Sequence, residues 1–128
     1  MSFNWAEYLD VAYELAAISA ATAVSQEAQL RSSISRAYYA AYKTATNIVR
    51  SKDQFVELPT GSGHRQLIQH FRNSTDQQCR AVGSDLDLLL RLRREADYNE
   101  FIAPQVLRRN TGFCLQVATH LLSKLTQL

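Results

Sequence analysis

Residues 25–51 read SQEAQLRSSISRAYYAAYKTATNIVRS, and this stretch decides the fold. Its apolar residues Leu30, Ile34, Ala37, Tyr38, Ala41, Ala45 and Ile48 recur every three or four positions, the period of one helix face. This is the strongest helical period in the chain. Ser25 stands where an N-cap side chain belongs, and Glu27 places a negative charge where the helix dipole favours it. A helix running to about Ser51 follows. The face opposite the stripe carries Arg36, Tyr39, Lys43 and Arg50.

Working outward, residues 3–24 place Trp5, Tyr8, Leu9, Ala12, Leu15, Ala16 and Ser19 at helical spacing, with an alanine-rich second half suited to close packing. Pro59, Gly61, Ser62 and Gly63 mark a loop within residues 52–63. A short helix follows, with Leu67, Ile68 and Phe71 inward. Thr75 and Gln78 have capping-box spacing and start a fourth helix, which carries Val82, Leu86, Leu89 and Leu90 and ends near Tyr98. Gly83-Ser84 is where that helix is expected to kink or break. Pro104 suits the first turn of a last helix, on which Val106, Leu107, Phe113, Cys114, Val117, Ala118, Leu121, Leu122 and Leu125 repeat. Four long helices and one short one read as an all-α antiparallel bundle of four to five helices, a single domain over residues 1–128.

Composition agrees. Of 128 residues, 46% are hydrophobic, and only 4 are Gly and 2 Pro, which argues against a turn-rich β fold. A net charge of +2 is too small to imply nucleic-acid binding unless the cations cluster. Cys79 and Cys114 form no CxxC pair, so neither a disulfide framework nor a zinc site is expected, and a reducing cytosol is the default. No apolar run approaches membrane-spanning length, and Met1-Ser2-Phe3-Asn4-Trp5 lacks the basic start of a signal peptide. The expectation is a prokaryotic cytoplasmic protein with no membrane, metal or cofactor.

Two groups of residues break the bland pattern. The run Arg93-Arg94-Glu95-Ala96-Asp97-Tyr98 interrupts the stripe of the fourth helix. Arg93 and Asp97 continue the inward line of Leu86 and Leu90, and their spacing suits a mutual ion pair. Such a pair is either a structural lock between the fourth and second helices or a site. On the second helix, Arg36, Tyr39 and Lys43 interleave cations with an aromatic ring, the chemistry that holds phosphates and stacks bases. The alternatives are a solvated face or a dimer surface anchored by Tyr39 and Tyr42. His64 adds an imidazole able to act as acid or base near neutral pH, or simply to cap the short helix. His70 and His120 make no metal set with carboxylates at ligand spacing.

Ser35-Arg36-Ala37-Tyr38-Tyr39-Ala40-Ala41-Tyr42 resembles the second-helix signature of the HEPN superfamily, as does His64 followed by Phe71. Arg93-x-x-Ala96-Asp97-Tyr98 resembles the late-helix motif of a small prokaryotic branch of that superfamily. The resemblance covers essentially the whole chain and implies a helical bundle that forms a homodimer. It also implies one of several roles. Many members are metal-independent ribonucleases that pair an arginine with a histidine a few residues later. Others act with small nucleotidyltransferases in toxin–antitoxin pairs, or bind RNA or nucleotides without catalysis. Under this resemblance Arg93 matches the motif arginine, and Tyr98 stands where the catalytic histidine would. The ordinary pKa of tyrosine is about 10 against about 6.5 for histidine, which makes it a poor general base at neutral pH. Its hydroxyl can still bind a phosphate or donate a proton.

Three functions follow, in order of preference. The first is a HEPN-like module of a toxin–antitoxin or defence system that binds RNA, a nucleotide or a partner nucleotidyltransferase, with Arg36, Tyr39, Lys43 and Asp97 as binding residues. The second is a metal-independent endoribonuclease toxin in which Arg93 stabilises phosphorane charge and His64 or Tyr98 handles protons. The third is a structural adaptor without a ligand.

Overall fold

The computed structural model describes residues 3–17, 25–53 and 63–128. Its elements are α1 (Glu7–Ala17), α2 (Gln26–Asp53), α3 (Gly63–Arg72), α4 (Gln77–Tyr98) and α5 (Pro104–Leu125). There is no strand among the described residues.

Local chemistry sets the helix ends. The Ser25 hydroxyl accepts the Ala28 N–H at 3.1 Å, as its N-cap position requires. Asn4 does the same for Ala6 at 3.2 Å, and α1 begins at Glu7, so residues 3–6, expected within this helix, precede it. Ser19 and the end expected for this helix lie outside the described residues, as do Pro59, Gly61 and Ser62.

The start of α4 differs from the Thr75–Gln78 expectation by one residue. Asp76 is the N-cap, and its carboxylate accepts the Gln78 N–H at 3.3 Å. A carboxylate answers the positive end of the helix better than a hydroxyl. The Thr75 carbonyl instead takes a hydrogen bond from Arg80 at 2.8 Å.

The break expected at Gly83-Ser84 does not occur, and α4 runs unbroken through both. Gly83 is a packing contact: a Cβ there would stand 2.9 Å from Arg72 Cγ and 3.1 Å from Phe71 Cβ. The missing side chain lets α3 lie against α4, which Arg72–Asp87 then ties at 3.6 Å. Pro104 opens α5 as expected.

Residue pairings give the topology. Ser33 donates to the Ala12 carbonyl at 2.6 Å, while Lys43 further along α2 meets Trp5 before α1, so α1 and α2 are antiparallel. Arg31 reaches Ala96 at the end of α4, and Val49 shares a cavity with Cys79 at its start, so α2 and α4 are also antiparallel. Lys124–Asp85 at 2.9 Å joins the end of α5 to the first half of α4. By contrast α2 and α5 run parallel: Leu30 and Leu107 line one pocket, the Cys114 thiol donates to the Ile34 carbonyl, and Lys52 donates to the Leu128 carbonyl. The helix expected to decide the fold therefore stands at its centre, packed against α1, α4 and α5.

The core is one cluster. Ala37, Ala40, Ala41 and Ala45 are fully buried on α2, and Ala118 and Cys114 on α5, small side chains that permit close approach. Leu67, Leu86, Leu89, Leu107 and Leu121 fill the remaining space. On α2 and α5 the inward positions shift from expectation. Val49 rather than Ile48 is fully buried, and Phe113 is exposed while Thr111 and Leu115 turn inward. The Thr111 hydroxyl is satisfied within its own helix by the Leu107 carbonyl at 2.8 Å.

The last turn of α4 contains no basic residue. Arg31 supplies the cation from α2, donating to the Ala96 carbonyl at 2.8 Å while Glu27 holds its other edge at 3.2 Å. This clamp fixes the Arg93–Tyr98 segment beside the outer face of α2.

Candidate functional site

The site is assembled on the outward side of α2, where α1, α3 and α4 bring their ends together. Arg36, Tyr39 and Lys43 recur at helical spacing along α2. Each cation lies against an aromatic ring. Arg36 stands 5.0 Å from the centre of the Tyr8 ring, and Lys43 stands 5.3 Å from Trp5 and 5.8 Å from Tyr42. Arg93 comes across from α4 and lies 5.3 Å from the Tyr39 ring and 5.7 Å from Tyr98. Rings at these distances attract cations through their negative faces.

Arg93 and Asp97 form the ion pair that their spacing predicts, at 2.9 Å. They do not lie in the core. Their side chains are 15% and 27% exposed, and it is Ala96 that turns inward. The inward line of α4 reaches the end of the bundle at this point, where the Tyr39 ring and not an aliphatic layer faces Arg93. Tyr98 is 72% exposed, which leaves its hydroxyl open to solvent.

Beneath this face lies an aromatic cluster centred on His64. The Tyr38 hydroxyl and His64 Nδ1 are hydrogen-bonded at 2.6 Å. The His64 ring stacks on Tyr42 with centroids 4.3 Å apart, and Tyr39 meets it edge-on at 6.1 Å. Burial, with smaller contributions from Tyr42 and Tyr39, pushes the Tyr38 hydroxyl well above the ordinary tyrosine range. It therefore acts as a neutral hydroxyl that orients the imidazole.

The structure thus gathers Arg93, Tyr98, Asp97, Tyr39, Arg36, Lys43 and His64 in one neighbourhood. Sequence reasoning missed Trp5 and Tyr8 as members. Both were placed on an apolar stripe, and both are only half-buried, with Phe3 at 5.0 Å and 5.5 Å completing the ring cluster. It also placed Tyr38 in the core, which is correct, without its link to His64. No sequence period signals a contact between residues 26 positions apart.

Among the described residues, no three His, Cys, Asp or Glu side chains gather as metal ligands, and no helix is long and apolar enough to cross a membrane. Comparison with known proteins adds no relative: no family model matches the chain, and neither a curated protein nor a solved structure matches it.

Proposed function

We propose that this chain is a HEPN-like recognition module of a prokaryotic toxin–antitoxin or defence system, and that its outward α2 face binds RNA or a nucleotide. One observation carries the proposal: Arg36, Lys43 and Arg93, drawn from two helices, each lie against an aromatic ring on the same face. Cations alternating with rings match a ligand that alternates phosphates with flat bases. The Ser35–Tyr42 and Ala96–Tyr98 segments that suggested the superfamily both border this face, which supports the same reading. Fluorescence anisotropy with a labelled unstructured oligoribonucleotide tests it. Wild type binds, and binding weakens as salt rises. Failure to bind RNA or nucleoside monophosphates at low salt rejects the proposal.

A second reading is favoured by the Tyr38–His64 hydrogen bond at 2.6 Å, which holds an imidazole beneath the ring that Arg93 covers. An endoribonuclease would use Arg93 for phosphorane charge and His64 for proton transfer. It ranks second because Asp97 already engages Arg93, and because His64 is bound into the aromatic cluster. Incubation of RNA in the presence of EDTA separates the readings: cleavage abolished by Arg93→Ala favours the nuclease, and intact RNA excludes it.

A further inference from the structure

A second concavity adjoins the cation–aromatic face. It is a groove of about 390 Å³ between the first half of α2 and the end of α4. Ser32, Ser35 and Arg36 line it from α2, and Asp97 lines it from α4, with Ala28 and Ala96 as its small apolar part. On a helix, positions 32, 35 and 36 lie on one side within a single turn.

The charges in the groove are unequally committed. Arg31, which also borders it, is held by Glu27 and by the Ala96 carbonyl. Asp97 is held by Arg93 at 2.9 Å. Arg36 is exposed and has no carboxylate partner among the described residues; its contact is the Tyr8 ring at 5.0 Å. Ser32 is exposed and Ser35 half-buried, and neither hydroxyl makes a hydrogen bond among the described residues. Two hydroxyl donors and a guanidinium with no carboxylate partner therefore share one wall of a groove.

We propose that this groove seats one nucleotide, its phosphate held by the Ser32 and Ser35 hydroxyls and the Arg36 guanidinium. The inference rests on the RNA- or nucleotide-binding reading above and sharpens it. It puts the phosphate on Arg36, whose guanidinium has no carboxylate partner among the described residues, and not on Arg93, which Asp97 already pairs at 2.9 Å. Guanidinium and hydroxyl donors on one side suit the tetrahedral oxygens of a phosphate. Asp97, an acceptor on the far wall, suits a sugar hydroxyl or a base amino group. The volume sits toward the small end of ligand sites and fits a single nucleotide better than a duplex.

The test compares wild type, the Ser32→Ala/Ser35→Ala double variant and Lys43→Ala, which lies on the face and outside the groove. The probes are AMP, GMP, CMP and UMP, followed by calorimetry, and a labelled unstructured oligoribonucleotide, followed by anisotropy. Alanine is the better helix former, so the double variant keeps its fold, which far-UV circular dichroism confirms. The expected result is an affinity about tenfold weaker in the double variant for whichever probe wild type binds. Binding of the free monophosphates assigns the groove to a free nucleotide. Binding of the oligoribonucleotide alone assigns it to a residue within RNA. If the double variant binds RNA as wild type does while Lys43→Ala weakens it, the groove proposal is overturned and the reading of the face survives. If wild type binds neither probe, both are overturned.

Discussion

The two sides of α2 each carry a tyrosine, and the two tyrosines do opposite things. On the inward side Tyr38 is fully buried among Ala37, Ala41 and Ala45, and its hydroxyl is spent on His64. On the outward side the adjacent Tyr39 keeps its ring beneath Arg93 at the rim of the bundle. On the inward side the buried Ser33 and Thr46 hydroxyls are satisfied internally, at 2.6 Å and 2.8 Å. The outward side keeps cations whose partners are rings, and for Arg36 and Lys43 those rings do not neutralise the charge. A sealed side specifies the fold; a side with cations set against rings is equipped to meet an anionic, flat ligand. Substitutions inside should therefore cost stability, and substitutions outside should cost binding.

The largest effect that would break this division is expected at Ile34, which is 2% exposed. Ile34→Ala leaves a cavity between α2 and α5 and should destabilise the fold by about 2–5 kcal/mol, read from urea denaturation. RNA affinity per folded molecule should stay unchanged. A loss of affinity in the folded variant would show that the two sides are not separable.

Tyr38→Phe sharpens the contrast at the one point where the sides communicate. It removes the hydroxyl that orients His64 and should cost about 1 kcal/mol by the same measurement. Pushed-up ionisations on the inward side also predict an alkaline weakness. Burial raises the Cys114 thiol from its ordinary 9.0 to about 12 and raises the Tyr38 hydroxyl further still. Both groups stay neutral in the folded chain and ionise earlier in the unfolded one. Their contribution is thus complete below the ordinary cysteine and tyrosine values and is lost as pH rises above them. Urea midpoints should fall between about pH 8 and about pH 11, and fall less in Tyr38→Phe with Cys114→Ala. A midpoint that falls as steeply in that double variant would assign the loss to other groups.

The smallest effect concerns the ion pair. Arg93 and Asp97 are partly exposed and four residues apart on α4, so a double-mutant cycle on thermal stability should give a coupling of about 0.5 kcal/mol. A coupling of about 3 kcal/mol or more would mark a structural lock and favour the ligand-free adaptor.

Much of this division was legible in the sequence, because helical period is a local property. The stripe Leu30–Ile34–Ala37–Ala41–Ala45 located the inward side of α2, and the spacing of Arg93 and Asp97 announced their pair. What was not legible depended on tertiary contacts. Gly83 looks like a helix breaker until Phe71 and Arg72 are seen against it. Trp5 and Tyr8 look like core residues, since an aromatic ring scores as apolar whether it meets leucine or a cation. The Asp76 cap was hidden by the neighbouring Thr75 and its better-known spacing to Gln78. The pairing of Tyr38 with His64 and the groove beside Arg36 arise only once α2, α3 and α4 are packed together.

The central claim is that the outward face of α2 binds RNA or a nucleotide and is not merely a solvated surface. Tyr39→Ala tests it most directly, because that ring lies under Arg93 and between Arg36 and Lys43 on α2. Anisotropy titrations of wild type and variant with the same oligoribonucleotide, each checked for its melting transition, give the answer. The account predicts that wild type binds and that a folded Tyr39→Ala binds more weakly, because Arg93 loses the ring that holds it on the face. Equal affinity in wild type and variant, or no binding by either, would contradict it.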